Sequence, residues 1–109
     1  MENTSVQEGK TIAIISYITF IGLIIAFLMN SSKKNSFATF HIRQSLGIVV
    51  LSLIFSLITY VIHIPLLSLI FNGIILVLII LGIISAAGGE QKPLPIVGDY
   101  FSDWFKNVG

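Results

Sequence analysis

The sequence predicts an all-α integral membrane protein, built as a three-helix bundle with a C-terminal amphipathic helix at the membrane interface. Of its 109 residues, 55% are hydrophobic and only 10% are charged, whereas about a quarter of the residues of an ordinary soluble domain carry charge. The apolar residues are gathered into long runs, and no Asp, Glu, Lys or Arg occurs between Leu46 and Ala87. Such a run would aggregate in water, but a bilayer accommodates it as two consecutive spans.

The first of three spans is predicted at residues 12–29, after a polar tail at residues 1–10. This uncharged run is about 18 residues long, which is enough to cross a hydrocarbon core of roughly 30 Å. A cleaved signal peptide is the alternative, but the basic pair Lys33-Lys34 follows the run instead of preceding it, and no small-residue cleavage site ends it. Small residues at helical spacing predict a face on which another helix packs closely; they are Ala13, Ser16, Thr19, Gly22 and Ala26.

The second and third spans are predicted at residues 44–63 and 66–87, which completes a transmembrane domain over residues 11–87. Ser36 is expected to cap a helix that starts near Phe37, so that its first two turns lie in the headgroup region. The chain then reverses tightly at residues 63–65, and Pro65 opens the third span because its missing N–H falls where helix donors are unpaired. A polar seam runs along these two helices at Ser52, Ser56, Thr59 and Asn72. The simpler interpretation of this seam is helix packing, and the alternative is a polar path for a solute.

Residues 88–109 are predicted to form a surface linker and an amphipathic helix. The apolar positions of the tail recur at helical spacing, with charged and polar residues on the opposite face. Its aromatic side is expected to anchor the helix in the membrane interface through Tyr100, Phe101, Trp104 and Phe105. A compatible interpretation is that the helix folds back onto the bundle as a lid.

The basic residues predict the orientation. The loop between the first two spans and the segment after the third hold five of the six, and the N-terminal tail holds only Lys10. The positive-inside rule then predicts insertion in the cell inner membrane, with the N-terminus outside and the C-terminus in the cytoplasm.

The segment Phe40-His41-Ile42-Arg43-Gln44-Ser45-Leu46-Gly47 resembles the Phe-His-x-Arg-Gln-x-Leu signature of a bacterial family of small membrane proteins. These proteins are similar to the twenty-kilodalton subunit of the chloroplast inner-envelope protein-import translocon (Tic). Residues 9–17 and 89–98 also resemble this family. The resemblance implies a small helical membrane protein that is a partner of a translocation complex, although the plant relatives have four spans and three are predicted here.

The signature residues Phe40, His41, Arg43 and Gln44 are candidate partner or lipid contacts. For His41, the simplest interpretation is an interfacial residue near lipid phosphates. Arg43 either reaches lipid phosphate with its long side chain or, together with Gln44, bonds the C-terminal segment or the first loop.

Neither catalysis nor metal binding is predicted. The two histidines, His41 and His63, would lie roughly 33 Å apart on one helix and cannot share a metal ion. The chain has no cysteine, and it has no metalloprotease motif, acidic pair within a span or nucleophile with an adjacent base. No cofactor is expected, and the scattered basic residues are atypical of a nucleic-acid-binding protein.

The predicted function is therefore that of a non-enzymatic membrane protein that works through helix–helix contacts. Its expected partners are the lipid bilayer and either further copies of itself or other membrane proteins. The first hypothesis is a subunit or accessory factor of protein translocation or membrane organisation. The alternative is a small homo-oligomeric passive channel or transporter.

Overall fold

A computed structural model describes residues 2–108, and this part of the chain contains five α-helices and no strand. The helices are α1 (Glu2–Ile18), α2 (Phe20–Lys33), α3 (Ser36–Val61), α4 (Pro65–Ala87) and α5 (Gly98–Trp104). The all-α prediction is confirmed. A bundle of three spans is not: within the described residues, α3 and α4 are the two helices that are long and apolar enough to cross a membrane.

The predicted first span is broken at Thr19. The backbone of Thr19 is extended (φ −149°, ψ 171°), and its hydroxyl accepts a hydrogen bond of 3.0 Å from the amide of Gly22. Thr19 is therefore an N-cap that starts a new helix, not a small residue on a packing face. Gly22 has no room for a side chain because a Cβ atom there would meet the carbonyl oxygen of Ile15.

Helix α2 runs back along α1, and the two form a helical hairpin (residues 2–33). Ile12 of α1 belongs to one buried cluster with Leu23 and Ala26 of α2. Asn35, which follows α2, lies against Gly9 in the middle of α1. With 17 and 14 residues, α1 and α2 are only about 25 and 21 Å long. Most of the segment expected to be a polar tail is the first half of α1.

Helices α3 and α4 form a longer antiparallel pair of 26 and 23 residues. Asn35 caps α3 instead of Ser36, since its side chain accepts a hydrogen bond of 2.9 Å from the amide of Ala38. The chain reverses between Val61 and Pro65, and Pro65 is the first residue of α4. Phe55 and Phe71 stack across the pair, with ring centroids 4.0 Å apart.

All six Lys and Arg residues lie at one end of the molecule, which we call the basic end; the end with the α3–α4 turn is the distal end. Gly9 and Asn35 adjoin there, Lys10 lies beside Gly89, and Arg43 is bonded to the backbone of Lys106. The described chain therefore begins and finishes at the same end. The termini were expected at opposite ends, whereas α1 and α2 form a hairpin that returns to the end of the molecule at which it begins.

Candidate functional site

The signature segment lies in the second and third turns of α3, at the basic end, and its polar side chains face inward. His41 and Gln44 are fully buried, while Phe40 and Arg43 are half-buried. Positions three apart share one face of a helix, so His41 and Gln44 both point towards the other segments of the basic end. Together with Tyr17, Ser45 and Ser85 they make up what we call the polar cluster.

His41 joins α1 to the linker that follows α4. Its Nε2 lies 2.7 Å from the carbonyl oxygen of Glu90, and its Nδ1 lies 2.7 Å from the hydroxyl of Tyr17. A carbonyl oxygen only accepts, so Nε2 carries the proton, and a neutral ring then accepts at Nδ1 the hydroxyl proton of Tyr17. The rings of Phe37 and Phe40 pack edge-on against the imidazole, with centroids 4.8 and 5.0 Å away. Both ring nitrogens are therefore used within the fold.

Ser85 holds the same linker from α4. Its hydroxyl donates to the carbonyl of Glu90 at 3.0 Å and accepts the amide of Lys92 at 3.4 Å. The carbonyl of Glu90 thus receives bonds from two helices, α3 and α4, which uses both of its lone pairs. The linker leaves α4 in one fixed direction.

Gln44 holds the segment before α5 and α5 itself. Its side-chain nitrogen donates to the carbonyl of Gly98 at 2.7 Å and to the hydroxyl of Ser102 at 2.8 Å. Its side-chain oxygen accepts the amide of Leu94 at 3.0 Å. The approach is close, since a Cβ atom on Gly98 would lie 2.7 Å from the Gln44 oxygen. One amide thereby supplies partners for two backbone groups of the C-terminal segment (residues 88–108).

Arg43 bonds the end of the C-terminal segment. Its Nε donates to the carbonyl of Val108 at 2.9 Å and its Nη2 to the carbonyl of Lys106 at 2.6 Å. Of the two interpretations of Arg43 and Gln44, these bonds correspond to attachment of the C-terminal segment. His41 is likewise enclosed by protein, and not placed at lipid phosphates.

The aromatic residues of the C-terminal segment divide between the bundle and the outside. The ring of Phe101 is buried and lies directly over Gly47 of α3, where a Cβ atom would collide with it. Phe105 is half-buried against the core, whereas Tyr100 and Trp104 are exposed. Helix α5 covers α3 through the buried ring of Phe101. Its exposed rings, Tyr100 and Trp104, are available to the membrane interface.

A second set of polar contacts fixes the hairpin to α3, and sequence reasoning did not identify it. The buried Asn30 donates from its side chain to the hydroxyl of Thr39 at 2.8 Å and accepts the amide of Asn35 at 2.9 Å. Ser45 donates to the carbonyl of Ser16 near the tip of the hairpin. The signal in the sequence was weak: a Ser inside the predicted second span and an Asn directly after the predicted first span.

The predicted polar seam lies apart from the polar cluster, towards the distal end. Ser52, Ser56, Thr59 and Asn72 line a cavity between α3 and α4 with a volume of only about 40 Å³. That volume is of the order of a single water molecule. The seam residues meet between the two helices here, and Ser56 and Thr59 also line an open groove of about 510 Å³ at the α3–α4 turn.

The polar cluster is internally satisfied. Among the side chains of residues 6–108, no buried nitrogen or oxygen lacks a hydrogen-bond partner. In the same described part, no group of three His, Cys, Asp or Glu side chains is placed to hold a metal ion. A network whose members are all paired rigidifies the segments that it joins. The hydrogen bonds of the polar cluster hold α1, α3, α4 and the C-terminal segment together.

Comparison with known proteins corrects the family expected from the signature. No curated protein and no solved structure matches the chain. Residues 8–101, which include the whole polar cluster, match a family of magnetosome proteins and not the relatives of the chloroplast import translocon. The expected kinship with that translocon is wrong, and the chain belongs to the magnetosome magnetite crystal formation protein family (MamF/MmsF).

Proposed function

We propose that this chain is an integral membrane protein that takes part in magnetite crystal formation at the magnetosome membrane. The observation that carries the proposal is the family match over residues 8–101. The two apolar helices, α3 and α4, supply the membrane insertion that such a site of action requires. Their apolar side chains are largely exposed towards the surroundings, as is typical of helices whose solvent is lipid.

We propose further that the chain acts as a structural component, through contacts in the membrane, and not as an enzyme. The side chains best suited to chemistry are already engaged: His41 uses both ring nitrogens and Gln44 makes three bonds within the fold. These contacts favour a role in presenting a rigid basic end at the membrane surface. Self-association within the bilayer is part of this proposal, because the distal halves of α3 and α4 are exposed.

The basic end is proposed to face the cytoplasm. The positive-inside rule applies to all six Lys and Arg residues at once, since they share that end. Both ends of the chain would then be cytoplasmic, and the α3–α4 turn at His63 would lie on the other side. Because the chain has no cysteine, single-cysteine variants test this directly: an impermeant maleimide should label His63→Cys, and not Asn107→Cys, from the outside of whole cells.

The test of function is complementation in a magnetite-forming bacterium whose own members of this family have been deleted. Expression of the chain should restore crystal number and size in electron micrographs. Gln44→Leu, which detaches the C-terminal segment, should restore them less well than Asn72→Leu, the same chemical change in the exposed distal half. Crystals that stay as in the deletion strain, with the chain present in the membrane at normal level, would refute the proposal.

Self-association is tested separately. Gly73 faces open space on α4, since a Cβ atom there would meet nothing within 4 Å. Gly73→Cys should therefore form crosslinked dimers in native membranes if copies meet on this face. If Gly73→Cys crosslinks only to other proteins, the proposal of self-association is wrong and the chain forms a complex with different proteins.

A further inference from the structure

We propose that the protein is a wedge that favours bilayers curved so that the leaflet at its basic end is convex. The inference depends only on insertion of α3 and α4 into a membrane. It goes beyond the proposed function and does not require a role in crystal formation.

The first step is the depth of the hairpin. Thr19 and Phe20, at its tip, line one groove of about 370 Å³ with Leu53 of α3 and Ile75 of α4. The side chains at the tip therefore reach as far as those two residues, while Ser16 lies beside Ser45 and Tyr17 beside Gly82. From Leu53 to Val61, and from Pro65 to Ile75, the remaining helix is about 13 to 16 Å long. This is half of a hydrocarbon core of roughly 30 Å, which is the thickness of one leaflet.

The second step is the surroundings of the hairpin. The outward face of α2 is apolar and open, with Phe20, Ile21 and Leu28 each at least 60% exposed. No charged residue occurs from Phe20 to Asn30. A surface of this kind is stable in hydrocarbon and not in water, so the hairpin lies within the leaflet and displaces lipid there.

The third step is the cross-section. The leaflet at the basic end contains α1, α2, α3 and α4, whereas the distal leaflet contains α3 and α4 alone. With a helix diameter of 10–12 Å, the two extra helices add roughly 160–230 Å² to the area of one leaflet. Helix α5 packs on α3 at the same end and adds to this asymmetry.

The fourth step is rigidity. The hairpin cannot fold away from the pair, because Asn30 is bonded to Thr39 and Ser16 to Ser45, at its two ends. A rigid inclusion with unequal areas in the two leaflets deforms a flat bilayer. The protein deforms the bilayer less where the leaflet at its wide end is already convex. Its binding should therefore depend on membrane curvature.

The test uses the full chain reconstituted into phosphatidylcholine vesicles of a broad size range, and orientation serves as the internal control. An impermeant fluorescent maleimide labels Asn107→Cys only in molecules with the basic end outside, and His63→Cys only in those with the opposite orientation. Both positions are exposed, so the labels leave the fold intact. Label per vesicle area, measured vesicle by vesicle, should rise about twofold or more with curvature for Asn107→Cys, and should fall or stay level for His63→Cys.

Two results would overturn the inference in distinguishable ways. Equal curvature dependence of the two labels, in protein that resists carbonate extraction, would remove the wedge and leave the membrane insertion intact. Protein that carbonate strips from the vesicles would remove both.

Discussion

Replacing Gln44 by leucine should release the C-terminal segment from the bundle while leaving the membrane spans in place. The side chain of Gln44 is fully buried, and its amide is the partner of the Leu94 amide and of the Gly98 carbonyl. Leucine is similar in size and apolar, so the change removes hydrogen bonds without opening a large cavity. The substitution therefore isolates the contribution of one amide to the docking of a whole segment.

The expected magnitude follows from the groups left behind. Two buried backbone groups lose their partner, and each unsatisfied group costs about 1–3 kcal/mol. The Ser102 hydroxyl is half-buried, so water replaces its lost bond and it adds little. A loss of about 2–6 kcal/mol in docking free energy corresponds to a roughly 30- to 20,000-fold rise in the population of the undocked segment, at 1.4 kcal/mol per factor of ten.

Hydrogen exchange of the protein in detergent micelles or lipid discs measures this population. Amides of residues 94–105 should exchange faster by that factor in Gln44→Leu, and amides in the centre of α3 should not change. Asn72→Leu is the matched control, because it makes the same amide-to-leucine change at an exposed position. If both variants exchange like the original chain over residues 94–105, Gln44 does not hold the segment and the account of the polar cluster fails.

Three further variants test other contacts, each by thermal unfolding or hydrogen exchange in detergent. His41→Leu deprives the buried hydroxyl of Tyr17 of its partner, while the Glu90 carbonyl keeps its bond from Ser85, and should cost about 1–3 kcal/mol of stability. An unchanged melting temperature would contradict the bonds assigned to the ring. Gly47→Ala places a methyl group against an aromatic ring of α5 and should lower the free energy of unfolding by about 1–3 kcal/mol. Gly73→Ala, which faces open space, should be neutral or slightly stabilising. Equal losses of stability in the two variants would refute the packing of α5. Thr19→Val removes an N-cap and should cost about 1 kcal/mol, seen as faster exchange at Gly22; unaltered exchange there would mean that the two helices are continuous.

The long pair α3–α4 could be predicted from the sequence, because a membrane allows few other arrangements of such an apolar run. An uncharged run that is twice the length of one span must reverse inside it, and Pro65 marks where the second helix begins. The hairpin was not predicted, because the same length argument points to a single span at residues 12–29. An uncharged run at residues 12–29 has just the length of a span, and Thr19 was assigned to a helix-packing face when it in fact caps α2.

Only some contacts of the polar cluster could be predicted from the sequence. That Arg43 and Gln44 bond the C-terminal segment was one of two interpretations, and the sequence had no means to choose, because both place a basic residue at a membrane border. The partners of His41 lie 24 and 49 residues away along the chain. No local pattern announces contacts at such separations, and they follow only once the hairpin and the linker are placed.

The signature of this chain encodes how its segments meet, and this explains why its resemblance to another family misled. His41 faces α1 and the linker, Gln44 faces α5, and Arg43 faces the last residues of the C-terminal segment, so the string specifies how these segments assemble. A string of this kind is informative about the type of molecule, a small helical membrane protein with a tightly bonded end. It carries little information about the process that the molecule serves. The proposed function and the proposed wedge depend instead on the orientation of the whole molecule and on its unequal halves, which short motifs do not record.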